Sequence, residues 1–134
     1  MIVDTSVWIE FLRPGRSAAG DHLESLIRGR EHLVVPETVM LELLSGTTDE
    51  AVAARRRRML ESFDVVPLTP GVDSLTAARL QRQCRRSGDT VRNLGDCLIA
   101  AVALRLGIPV LHRDRDFETL STHCGVPTIS LLPR

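Results

Sequence analysis

The sequence predicts an α/β fold, an open parallel sheet of about five strands with helices on both faces. Two observations carry that prediction. Five short aliphatic or β-branched runs, at residues 1–3, 33–35, 65–66, 109–111 and 128–130, read as strands buried on both sides. Between them lie segments of helical length, set off by turn punctuation such as Pro14-Gly15, Pro70-Gly71 and Ser87-Gly88, so the order is β-α-β-α-β-α-β-α-β. Right-handed crossovers then distribute the helices over both faces of one sheet.

Taken in order, Met1-Ile2-Val3 opens the first strand, and Asp4 follows it directly, with Thr5 and Ser6 at the turn into a first helix. Residues 21–28 place Leu23, Leu26 and Ile27 on one helical face. Pro36 suits the start of a helix running through Leu44, because its fixed φ and missing N–H are harmless there. Residues 49–63 continue helically with arginines 55–58 on an exposed side. Thr69-Pro70 opens a helix that closes at Ser87-Gly88, and Asn93 opens one that closes at Gly107.

The chain has 134 residues, 43% hydrophobic and 25% charged, enough to bury one core without disulfides or a structural metal and too apolar for disorder. Its longest apolar run, residues 97–104, falls far short of the roughly 20 residues that span a bilayer. The N-terminus, MIVD, carries no export signal, so a cytoplasmic location is expected. Cys84, Cys97 and Cys124 lack C-x-x-C spacing, which suggests reduced thiols, with Cys97 buried, rather than a disulfide framework or zinc ribbon. All 17 basic residues are arginine. Those in the middle of the chain, arginines 55–58, 79, 82, 85, 86 and 92, suit either phosphate contacts or solvated helix faces. Trp8, Phe11, Phe63 and Phe117 are the only aromatic residues besides histidine, too few for a base-stacking platform.

In open α/β sheets, ligands bind beyond the C-terminal ends of the strands, where strand order reverses. Asp4 ends the first strand there. Asp114 ends the run Val110-Leu111-His112-Arg113, and Asp116 follows two residues later. Glu42 lies within the helical VMLELL, a costly setting for a carboxylate without a cation, on a face with Thr38, Val39, Ser45 and Gly46 that would leave room for a ligand. Asp96 occupies the first turn of the apolar helix opened by Asn93. Each acid has a structural alternative: Asp4 and Asp114 as helix caps, Asp96 as the third-position partner of an Asn93 cap, Glu42 in a buried ion pair. Those alternatives do not explain why acids from four segments converge on one sheet edge. Clustered carboxylates repel unless a cation joins them, and with no lysine an oxygen-coordinated Mg²⁺, or Mn²⁺ in its place, is the natural candidate. Such ions support hydrolysis of phosphodiesters.

The segments MIVDTSVWIEFL, PETVMLELLSG, DTVRNLGDCLIAAVALRLG and VLHRDRDF, in that order, resemble a PIN-domain ribonuclease, specifically a VapC toxin of a type II toxin–antitoxin pair. The resemblance extends over essentially the whole chain. It implies a PIN-like three-layer α/β/α fold with a central parallel sheet of about five strands, as a single domain over 1–134. It implies catalytic acids at Asp4, Glu42, Asp96 and Asp114. Asp4, Asp96 and Asp114 would hold the metal, Asp116 would help with a second ion, and Glu42 would orient or deprotonate the attacking water. Thr5 or Ser6 would contact substrate phosphate or water, and Arg113 and Arg115 would hold the RNA backbone or balance the acids. The implied activity is endonucleolytic cleavage of transfer or ribosomal RNA, by a homodimer inhibited by a small VapB-type antitoxin. Two other readings of an acidic sheet edge, a receiver domain and a haloacid-dehalogenase-type phosphatase, both want a lysine that is absent. The alternatives are a non-toxin PIN nuclease and a non-enzymatic PIN module that binds RNA or protein without cutting.

Overall fold

The structure, a computed structural model, describes residues 1–133. Its strands are β1 (Ile2–Val3), β2 (Val34–Pro36), β3 (Asp64–Val66), β4 (Val110–His112) and β5 (Thr128–Ser130). The helices are α1 (Thr5–Leu12), α2 (Ala18–Arg28), α3 (Glu37–Ser45), α4 (Glu50–Glu61), α5 (Asp73–Arg86), α6 (Leu94–Leu106) and α7 (Arg115–Cys124). All pairings are parallel, in the order β3-β2-β1-β4-β5, with Ile2 opposite both Val34 and Val110. The chain winds outward from β1 to β3, then crosses to β4 and β5 on the other side. The order therefore reverses between β1 and β4, the strands that Asp4 and Asp114 follow.

Helices α1–α4 pack among themselves, as do α5–α7, and right-handed crossovers place the two groups on opposite faces. Both layers close on a core that includes Ile2, Val3, Val35, Val110 and Leu111 from the strands, with Trp8, Leu60, Ile99 and Phe117 from the helices. Trp8 meets Phe11 edge-on at a ring separation of 6.0 Å and lies 5.5 Å from Phe63, which ties α1 to the segment after α4. No described helix is long and apolar enough to cross a membrane.

The expected elements are present, with two helix starts displaced for identifiable reasons. Helix α2 begins at Ala18, three residues before the expected 21, because Ser17 caps it, its side chain accepting from the Gly20 N–H at 3.0 Å. Helix α5 begins at Asp73 rather than at Thr69-Pro70, because Gly71 takes a left-handed turn (φ +72°). Asp73 then closes that turn by accepting from the Thr69 N–H at 2.7 Å. Its buried carboxylate also accepts from Arg105 Nε at 3.1 Å and Nη2 at 3.0 Å, joining α5 to α6. Burial pushes this carboxyl up, but the guanidinium and the Thr69 amide outweigh it and hold it below the usual range.

This pair fixes the helix that presents Asp96. Arg105→Ala leaves a buried carboxylate without its cation and is expected to cost about 3 kcal/mol. Urea unfolding should show a lower midpoint with an unchanged m-value.

Candidate active site

Asp4 and Asp114 reach the same point from strands that pair side by side; the Asp4 N–H donates to Leu111 O at 2.9 Å. Both also cap helices. Asp4 Oδ2 accepts from the Ser6 N–H at 3.0 Å and from the Ser6 hydroxyl. Asp114 Oδ1 accepts from the Asp116 N–H at 2.9 Å. Capping and site membership are thus compatible. Ser6 adds a brace between the strand ends, since its Oγ accepts the Arg113 N–H at 2.9 Å.

Asp96 comes from the opposite helical layer. Asn93 caps α6, its Oδ1 accepting from the Gly95 N–H at 2.9 Å, but Asp96 does not complete a capping box. The Asn93 N–H that such a box would use donates instead to Asp116 Oδ2 at 3.1 Å. Asp96 joins Asp4 and Asp114, and one carboxylate oxygen from each lies within 4.8 Å of the other two.

The cluster is electrostatically hostile to its own charge. Burial pushes Asp4 up to about 6, against the pull of its Ser6 hydrogen bonds and with help from Asp114 and Glu42. Burial followed by the charges of Asp4 and Asp114 pushes Asp96 up to about 10. Asp4 Oδ1 and Asp96 Oδ2 are buried and meet no donor. Two orphaned, desolvated oxygens beside a third carboxylate match a hard, oxygen-seeking cation, so the cluster is fit to hold a metal ion.

Glu42 stands beside this trio on α3. Its Oε1 accepts from the Thr5 hydroxyl at 3.0 Å, and its Oε2 accepts from Asn93 Nδ2 at 3.1 Å. The helical face expected to leave room for a ligand does not do so at Thr38 and Val39, which are buried. Asp116 is also buried, and its carboxylate is taken up by the backbone: the Arg92 N–H approaches both oxygens, at 3.2 and 3.1 Å, beside the Asn93 amide.

The two arginines of HRDRDF separate. Arg113 pairs with Glu10 at 3.2 Å. Arg115 instead lines an open groove of about 700 Å³ with Arg92, Asp114, Asp116, Thr119 and Ser130. Among the other mid-chain arginines, Arg56 donates to Leu43 O at 2.8 Å and Arg57 pairs with Glu61 at 2.7 Å. The sequence marks Arg92 as one of the arginines suited to phosphate contacts but gives no sign that Asn93 belongs to the active site. Asn93 is the one asparagine in the chain and carried only a capping signal.

The PIN domain family model matches residues 1–122. Ribonuclease VapC11 of Mycobacterium tuberculosis (strain ATCC 25618 / H37Rv) is 33% identical over 122 residues, covering 90% of this chain and 91% of that protein. The chain belongs to the PIN-domain family of VapC ribonucleases. Among solved structures, this PIN domain resembles VapBC-5, a VapBC-family toxin–antitoxin system from Mycobacterium tuberculosis, with a TM-score of 0.62 and 26% identity over 98% of this chain and 97% of that one. It also shares its fold with FitAcB from Neisseria gonorrhoeae, at a TM-score of 0.74 and 22% identity, covering 96% and 95% of the two chains.

The acid cluster makes the PIN domain's stability depend on pH. Asp4 and Asp96 titrate above the 3.8 of a free aspartate. From pH 3.8 to about 6 for Asp4, and to about 10 for Asp96, the folded chain keeps protons that the unfolded chain has released. Their contribution to stability therefore falls as pH rises through those windows. Melting of metal-free protein between pH 6.5 and 8 should show a downward slope that flattens in Asp96→Asn.

Proposed function

We propose that this chain is a Mg²⁺-dependent endoribonuclease and the toxin of a VapBC-type pair, cutting transfer or ribosomal RNA in the cytoplasm to inhibit translation. The observation that carries this reading is the trio Asp4, Asp96 and Asp114, the first two buried, with its two orphaned oxygens. These three residues would hold the ion, with Mn²⁺ able to replace Mg²⁺ at an all-oxygen site. When bound, the ion supplies positive charge that polarises the scissile phosphate and acidifies an attacking water.

The remaining chemistry belongs to this chain's own side chains. Glu42, with each oxygen already accepting from a neutral donor, is held in place to orient the attacking water and take its proton. Thr5 contributes by fixing Glu42, and Ser6 by fixing Asp4. Arg115 and Arg92 line the groove beside Asp114, where they would hold phosphates flanking the cut. Arg113 pairs with Glu10 and shapes the end of β4 instead. The likeness to VapBC-5, a toxin–antitoxin system, supports a small VapB-type antitoxin as partner, and membership of the VapC family is consistent with a homodimeric toxin.

Purified protein is expected to cleave structured RNA in Mg²⁺ or Mn²⁺ and to stop on addition of EDTA. Asp4→Asn and Asp96→Asn should lower the rate at least ~100-fold. At pH 8 Asp4→Asn removes a buried charge and Asp96→Asn removes the cost of keeping a buried carboxyl protonated, so metal-free melting should stay level or rise, separating lost chemistry from lost folding. Wild-type cutting rates in both folded variants would sink the assignment. Arg115→Ala should raise KM about tenfold and flatten its salt dependence, whereas Arg113→Ala leaves that dependence unchanged.

A further inference from the structure

The acid cluster ends at three carboxylates, but the hydrogen bonds around Asn93 extend it. Asn93 lies at the N-terminus of α6 and uses both ends of its side chain. Its Oδ1 caps the helix through the Gly95 N–H at 2.9 Å, while its Nδ2 donates to Glu42 Oε2 at 3.1 Å. Its backbone is held in turn, because Asp116 on α7 accepts from the N–H groups of Arg92 and Asn93 at 3.1 Å each. The fit is close: a Cβ on Gly95 would stand 3.0 Å from Asn93 Oδ1 and 3.5 Å from Glu42 Oε2. A chain of contacts therefore runs from α7 through the start of α6 to α3, and ends on a Glu42 oxygen.

We infer that Asn93 is a positioning residue for RNA hydrolysis, orienting Glu42 by its side-chain amide, and that Asp116 serves the same end by anchoring the Arg92–Asn93 backbone. The reason lies in how a carboxylate is aimed. Thr5 fixes only one of the two Glu42 oxygens, which leaves the group free to turn about that bond; the Asn93 donor removes the freedom. A base on a mobile side chain loses much of its advantage when it is misplaced by an ångström. Asp116, with both oxygens on backbone amides, is thereby assigned to the loop rather than to the ion. The inference rests on the proposed role of Glu42, which Glu42→Gln tests separately: full activity in that variant removes the base and leaves the Asn93 contacts to be judged by spectroscopy.

Because Asn93 is the one asparagine, selective ¹⁵N-asparagine labelling yields one side-chain amide pair. In Glu42→Ala its solvent exchange is expected to quicken roughly fivefold. An unchanged amide overturns the contact itself. Asn93→Ser and Asn93→Asp both keep a capping oxygen and lack the amide donor, and Asp adds a charge against Glu42. On bulk ribosomal and transfer RNA, kcat is expected to fall at least ~10-fold in both with KM and melting temperature held. Asn93→Ala should lose the same kcat and also melt lower. Wild-type kcat in the Ser and Asp variants, with only the Ala variant impaired, would leave Asn93 a cap and nothing more. For Asp116, Mn²⁺ binding followed by electron paramagnetic resonance decides. Asp116→Asn should keep its affinity within about twofold while Asp114→Asn loses at least ~10-fold. Equal losses would make Asp116 a ligand and overturn its assignment to the loop.

Discussion

Three carboxylates held within 4.8 Å of one another, two of them buried, form the constraint to which the rest of the molecule is fitted. In isolation such an arrangement flies apart or takes up protons, and the high values of Asp4 and Asp96 show the second tendency at work. The fold answers with helix ends. Asp4 and Asp114 cap α1 and α7, and Asp96 sits in the first turn of α6, so three positive helix termini converge on one negative cluster. The parallel sheet makes this convergence possible, because every strand points its C-terminal end to the same edge. The reversal between β1 and β4 opens a gap in the helical cover above that edge.

A second layer of neutral donors surrounds the acids. Ser6 links Asp4 to the backbone after β4, Thr5 and Asn93 hold Glu42, and the Arg92 and Asn93 amides receive Asp116. Formal positive charge stays further out, with Arg113 paired to Glu10 and Arg115 in the groove. Neutral donors can fix a carboxylate's direction without satisfying the charge that makes it useful to a cation. An arginine placed within the trio would compete for the same oxygens.

Much of this was legible in the sequence, for physical reasons. Uninterrupted aliphatic runs marked the strands because strands buried on both faces need no polar alternation, and all five appear within one or two residues of their expected bounds, although the edge strands β3 and β5 are only partly buried, not covered on both sides as expected. Acids placed directly after such runs then had to lie at one edge. What stayed hidden was every feature set by partners distant in the chain. Asp116 looked like a ligand or a first-turn acid, and nothing local shows that amides 23 and 24 residues earlier claim its oxygens. The same holds for Asn93 and Glu42, 51 residues apart, and for Arg113 and Arg115, whose alternation gave no hint that one would meet Glu10 and the other a groove. Helix starts shifted where a serine cap or a glycine turn overrode the expected boundary.

The pairing of β1 with β4 carries a consequence for when the protein becomes dangerous. Residues 4 and 114 meet across a register that joins the first strand to the fourth, with the whole of β2, β3 and six intervening helices between them in sequence. During synthesis the central strand therefore waits for a neighbour made late, and contacts of such long separation are slow to close. A partly made chain has Asp4 and Glu42 but neither the Asp114 carboxylate nor the strand that seats it. A chain with this topology cannot assemble its acid trio until the segment after residue 110 has emerged. The order of the strands works as a delay.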